Sequence, residues 1–286
     1  MNETYLLKLN QDMALKNFTN STKEDYYRYV VRFLDFTGKD AMSITYADIR
    51  RFIFYMLDVR QSKASTINCY TAAIRFFFEY TLGYVWDSKK IPKMKRDRQL
   101  PVVLSREQVF LLIDSMENYK HKAIMTVTYS SGLRVSETCR LRYEDILRSR
   151  KMIHVAKSKN RQDRYSILSD RCLEILTEYW YRYNRPMGWL FPSTVRDEPL
   201  TTSSVEQFMK AHAKRLGFPD GVTPHTLRHS FACHLLEDGV SQTLIQQLLG
   251  HRSPNSTNVY LQMTSKALMG IKSPFDTLNG GRDGMR

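Results

Sequence analysis

The chain has 286 residues, 42% of them apolar and 12% aromatic, enough to bury a core and more than one small domain needs. Its 43 Lys and Arg against 29 Asp and Glu leave a formal charge of +14, the electrostatic footprint of a protein that meets a polyanion such as nucleic acid. No apolar run approaches the ~20 residues of a membrane span. The start, Met1-Asn-Glu-Thr-Tyr-Leu-Leu-Lys-Leu-Asn10, lacks the pattern of a secretory signal, so a membrane or secreted protein is disfavoured and a cytoplasmic one is expected.

Residues 1–20 show no clear period and read as an N-terminal tail. Ser21-Thr-Lys-Glu24 has the form of a helix capping box, followed at helical spacing by Tyr26, Val30, Phe33 and Leu34. Thr45-Tyr-Ala-Asp48 opens a second helix with Ile49, Phe52, Ile53, Met56 and Leu57 on one side. Ser65 leads into a third, with Ile67, Tyr70, Ile74, Phe77 and Phe78. Residues 21–88 are therefore expected to form an all-helical bundle whose aromatics make its core, since they share the stripe that must face other helices.

From Ser88 to Pro101 the pattern breaks into six basic residues, one acid and two prolines, the composition of an extended linker, assigned to 89–103. Its Lys89, Lys90, Lys93, Lys95, Arg96 and Arg98 are candidate contacts to a DNA backbone, where closely spaced cations gain by displacing counterions. A second domain, 104–275, opens on the capping box Ser105-Arg-Glu-Gln108. Met152–Val155 and Arg164–Leu168 read as paired strands around a polar loop, with helices expected near 170–183, 203–216, 226–238 and 242–249. Thr223-Pro224 supplies an N-cap and a proline at the first helical position. The glycine-rich end, 276–286, reads as disordered.

The four cysteines, Cys69, Cys139, Cys172 and Cys233, lie far apart and form no Cys-x-x-Cys pair, so they read as reduced thiols. His225, His229 and Cys233 recur every four residues on one helix face, as metal ligands sometimes do. They lack the glutamate of a His-Glu-x-x-His motif, and Arg228 among them would repel a cation; neither a metal nor a cofactor is expected.

Arg134, Arg228, His225, His251 and Tyr260 are the residue types that could attack a phosphodiester without a metal. Arginine offers a planar fork of donors that never loses its charge, histidine moves protons near neutral pH, and tyrosine can be the nucleophile. Their settings are Thr128-Tyr-Ser-Ser-Gly-Leu-Arg134-Val-Ser-Glu137, His225-Thr-Leu-Arg228, Leu248-Leu-Gly-His251 and Ser256-Thr-Asn-Val-Tyr260. Together they resemble the tyrosine recombinase, or phage integrase, family, most closely its two-domain Xer-like members. The resemblance spans about 22–270, with the motifs in the family's order and His251 nine residues before Tyr260.

The resemblance implies that Arg134 and Arg228 are the catalytic arginines, Glu137 their supporting acid, His225 and His251 the catalytic histidines, and Tyr260 the nucleophile. It implies a catalytic lysine in the hairpin loop, in a pattern similar to Gly-Lys-Gly-x-Lys-x-Arg-x-x-x-Leu. Here both glycines are replaced, by Ser158 and Asn160; counting back from Arg164 and Leu168 selects Lys159 over Lys157, which would need a two-residue insertion. Lys157 and Arg161 are then candidate phosphate contacts. The implied fold is mainly α with a small β-hairpin or sheet in the catalytic domain, behind an N-terminal core-binding bundle. The implied activity is site-specific recombination through a 3′-phosphotyrosyl intermediate and a Holliday junction, by a homotetramer on double-stranded recombination sites, without metal or ATP, at the bacterial nucleoid.

A type IB topoisomerase would share the covalent chemistry, but the helical bundle and short linker favour a recombinase. A catalytically silent DNA-binding protein is the other alternative, opposed by the intact residue set. No separate arm-binding domain is expected ahead of the bundle, because only about 20 residues precede the first expected helix.

Overall fold

A computed structural model describes residues 2–95, 101–156, 163–194 and 198–250. The chain divides into two compact units, Met1–Gln99 and Leu100–Arg286, with the division inside the basic stretch.

The first unit is helical: α1 (Glu3–Leu15), α2 (Asn20–Thr37), α3 (Tyr46–Phe54) and α4 (Ala64–Phe76). α3 and α4 each run on into a π-helical turn, Tyr55–Val59 and Phe77–Thr81. The expected aromatic core is there: Phe33, Phe52 and Phe77 are buried, and Phe33 meets Phe52 edge-on at 5.3 Å between ring centroids.

Residues 1–20 are not a tail. α1 buries Leu9 and Met13 in the same core, and the Asn2 side chain ties its start to Lys39 O and the Ala41 amide. The Ser21 capping box is not formed either; Thr19 caps α2, its hydroxyl accepting from the Thr22 amide. Thr45 behaves as read, with both its amide and its hydroxyl donating to Asp48.

The first part of the basic stretch is packed rather than extended and free. Ile91 is buried, and the Asn68 side chain makes two 3.0 Å bonds to the Met94 backbone, holding 91–94 on the bundle. Lys89, Lys90, Lys93 and Lys95 remain exposed along that anchored strip; Arg96 and Arg98 lie outside the described residues.

The second unit contains α5 (Arg106–Asp114), α6 (Tyr119–Ser130), α7 (Val135–Cys139), α8 (Asp170–Arg182), α9 (Thr202–Arg215), α10 (Pro224–Glu237) and α11 (Gln242–Leu249). The two expected strands, β2 (Met152–Val155) and β3 (Arg164–Ile167), pair antiparallel with Val155 opposite Arg164. A two-residue strand that the sequence did not suggest, β1 (Ile146–Leu147), extends the sheet to β1-β2-β3. Ser105 and Gln108 form the expected cap of α5. Cys139, Cys172 and Cys233 are buried, their thiols pushed up to about 11 chiefly by that burial, and Cys69 is exposed. No described helix is long and apolar enough to cross a membrane.

Candidate active site

Four elements of the second unit meet around one buried carboxylate. α6 ends at Ser130, and the chain turns at Gly132 with φ +59°, a conformation that favours glycine. The site needs glycine there for space as well. A β carbon would stand 2.3 Å from Phe231 Cδ1 and 3.1 Å from Leu249 Cδ2, so the turn is pressed against α10 and α11.

Arg134 follows at the N-cap of α7 and Glu137 is three residues on, so the glutamate reaches back across the first turn. Glu137 Oε2 accepts from the Arg134 amide at 2.8 Å and Oε1 from the Arg134 guanidinium at 2.7 Å. From β3, Arg164 donates to both oxygens of Glu137, at 2.9 and 2.8 Å. From α10, Arg228 Nη1 stands 3.7 Å from Oε2. Arg228 is 0% exposed, with Nη1 and Nη2 donating to Gly132 O and Leu249 O at 2.7 and 2.6 Å. Three guanidiniums thus surround one carboxylate, leaving a local excess of two positive charges beside the entrance of α7.

Burial alone would raise the Glu137 carboxyl, but the Arg164 hydrogen bonds and charge, with the Arg134 amide and guanidinium, outweigh it and hold the group at about 2. Its folded-state pKa lies below the ordinary 4.5, so the associated stability is present above pH 4.5 and lost as pH falls toward 2. The contribution is on the order of 3 kcal/mol. Denaturant unfolding of wild type and Glu137→Gln should show a stability gap that narrows across that interval. A gap constant from pH 5 to about 2.5 would mean that the carboxylate is not held ionised by its arginines.

His225 lies in the first turn of α10, and its ring meets that of His229 edge-on at 4.5 Å between centroids. Burial, then the charges of Arg228 and Arg134, lowers the His225 pKa; burial, then His225 and Arg228, lowers His229 to about 4. Both imidazoles are therefore neutral at pH 7, and a neutral imidazole can accept a proton. Among the described residues no three His, Cys, Asp or Glu side chains gather as a metal site, and this includes the spacing of His225, His229 and Cys233.

The structure thus brings together Arg134, Glu137, His225 and Arg228, which stand up to 94 residues apart in the sequence. Lys157, Lys159, Arg161, His251 and Tyr260 lie outside the described residues. Two participants were not singled out. Arg164 served only as a register mark, although an arginine placed where a strand leaves a lysine-rich loop was a usable signal. Gly132 is the other, because a glycine between two helices signals a turn but not the close approach of α10.

The described arrangement suits an anion: fixed guanidiniums, a neutral base beside them and a low-dielectric floor. The comparisons agree with the fold. Residues 102–266 match the phage integrase family, and residues 5–88 match the phage integrase N-terminal SAM-like domain. A Sinorhizobium fredii protein described as an integrase/recombinase, y4qK, is 39% identical over 95% of this chain and 88% of its own length. Tyrosine recombinase XerA of Pyrococcus horikoshii is 30% identical over 90% and 88%. Among solved structures, XerA recombinase superposes with a TM-score of 0.55 at 28% identity, covering 94% of this chain and 96% of that one. XerH site-specific recombinase bound to a palindromic difH substrate gives 0.73 at 19% identity, over 91% and 82%, a likeness of fold. The chain belongs to the phage integrase family and is a tyrosine-type site-specific recombinase, similar to Xer-type members.

Proposed function

We propose that this recombinase cuts and rejoins DNA through a 3′-phosphotyrosyl intermediate, with Tyr260 as nucleophile. The observation that carries the reading is the buried Glu137 with its arginines, which orients Arg134 and Arg228 before any substrate arrives. In the first step the Tyr260 oxygen bonds to the scissile phosphorus and the bond from phosphorus to the 5′ oxygen breaks. His225, kept neutral by burial and by the two arginines, accepts the tyrosine proton, and Lys159 supplies one to the departing 5′ oxygen. Arg134 and His251 donate to the non-bridging oxygens, while Arg228 acts from beneath as a buried full charge, so the growing negative charge meets a preorganised field.

The phosphotyrosine keeps the energy of the diester, so attack by a partner strand's 5′ hydroxyl reverses the step without ATP and passes the duplexes through a Holliday junction. Both strands of two sites are served by a homotetramer on DNA, and the work takes place where the chromosome is. A nicked duplex that loses its 5′ fragment on cleavage should trap the adduct, and digestion should leave the oligonucleotide on the peptide that contains Tyr260. Attachment to any other peptide, or dependence of trapping on a divalent metal, would overturn this reading.

The basic stretch is proposed to bind the DNA backbone without reading sequence. Its lysines project from a strip anchored at Ile91 and Met94, so they hold a fixed position and lose less freedom on contact than a free tether would. Neutralising Lys89, Lys90, Lys93, Lys95, Arg96 and Arg98 should weaken specific and non-specific DNA alike. Each lost phosphate contact should reduce the slope of log K against log salt by about 0.9. A titration whose slope is unchanged would reduce the segment to a tether.

A further inference from the structure

Arg164 makes three hydrogen bonds in the site, and nothing in the reaction as written above uses it. Its Nη1 and Nη2 cover both oxygens of Glu137, and its Nε donates to Leu248 O at 2.8 Å. The neighbouring carbonyl, Leu249 O, is held by Arg228. Two guanidiniums therefore stand at the negative end of α11, where cations are favoured, and both face the same carboxylate. The helix end closes directly on Arg164: a β carbon at Gly250 would lie 2.9 Å from its Cδ. The strand below is fixed to the same turn, since Ser166 Oγ donates to Ser131 O at 2.6 Å.

The consequence falls on Arg134. A carboxylate facing a single guanidinium tends to take it bidentately, with two parallel bonds. Here Arg164 has already taken that geometry. Glu137 Oε1 receives both Arg164 Nη1 and Arg134 Nη1, and Oε2 receives Arg164 Nη2 and the Arg134 amide, so Arg134 is limited to one guanidinium bond with this carboxylate. A guanidinium has five donors, and the rest of the Arg134 fork is left for another anion. Without Arg164, Glu137 could turn both oxygens onto Arg134 and draw its donors inward.

We propose that Arg164 is a positioning residue for strand cleavage: by occupying both oxygens of Glu137 it restricts Arg134 to a single bond there and keeps the remaining donors of Arg134 available to the scissile phosphate. The inference rests on the assignment of Arg134 as a phosphate-holding residue.

The test compares two nicked duplexes, one with the ordinary scissile phosphodiester and one with a neutral methylphosphonate, in which a methyl group replaces a non-bridging oxygen. A site that has lost donors to the phosphate is penalised more on the charged substrate. The ratio of methylphosphonate to phosphodiester cleavage rates, taken within one preparation of full-length protein, is independent of how much of it is folded. Arg164→Met should raise that ratio at least about tenfold over wild type, the worth of one hydrogen bond to a charged group. Arg164→Lys, which keeps the charge without the fork, should raise it less and provides the measurement if the methionine variant does not fold. Arg134→Ala should raise it as well. A wild-type ratio in both Arg164 variants beside a raised ratio in Arg134→Ala would overturn the positioning role alone. An unchanged ratio in Arg134→Ala would overturn the assignment of Arg134, and this inference with it.

Discussion

Tyr260→Phe is expected to abolish the covalent protein–DNA adduct while leaving binding to the recombination site intact. The substitution removes one oxygen and keeps the ring, so contacts that hold the DNA persist and only the atom that would bond to phosphorus is lost. The two readouts must separate. Gel-shift titration should give the wild-type affinity, and denaturing gels of the nicked substrate should show no retained DNA. An adduct persisting in the phenylalanine variant would mean that another side chain attacks, and a parallel loss of binding would point to a packing role for the tyrosine ring.

The second large effect separates Lys159 from Lys157. An alkoxide leaves poorly without a proton, whereas a sulfur in place of the bridging 5′ oxygen leaves readily. Lys159→Ala should therefore cleave ordinary DNA about 10²–10⁴-fold more slowly, the usual cost of a lost acid–base catalyst, yet cleave the 5′-thio substrate nearly as fast as wild type. Lys157→Ala should slow both substrates mildly and equally, as expected of a lost backbone contact. If sulfur rescues Lys157→Ala and not Lys159→Ala, the register of the loop shifts by two residues and Lys157 becomes the proton donor.

Most helices were legible because their signals are local. Thr45 with Asp48, Ser105 with Gln108 and Thr223 with Pro224 each mark a start by chemistry within four residues, and each is found where expected. α1 was not legible because the residue before it, Asn2, is used for a tertiary bond across 39 positions to Ala41 rather than for a local cap. The hold on Ile91 and Met94 was hidden for the same reason: Asn68 lies on α4, and nothing in a run of lysines announces the partner that pins it.

The candidate site divides along the same line. Arg134, Glu137, His225 and Arg228 stood out by motif, and the described fold brings them together. What the motif did not convey is their order of dependence. Glu137 could be read as a supporting acid from its spacing alone, but its sharing among three guanidiniums arises only when β3 and α10 arrive from distant sequence.

The distribution of thiols has a practical consequence for observing the protein at work. Alkylating reagents react with thiolates that they can reach, and Cys139, Cys172 and Cys233 are both buried and raised to about 11. Cys69, exposed on α4 of the helical bundle, is the remaining cysteine of the chain. A maleimide dye added to the folded, unaltered protein would thus mark one defined position on its N-terminal unit. Fluorescence from that position could then report how the bundle moves when a recombination site is engaged, with no cysteine added or removed.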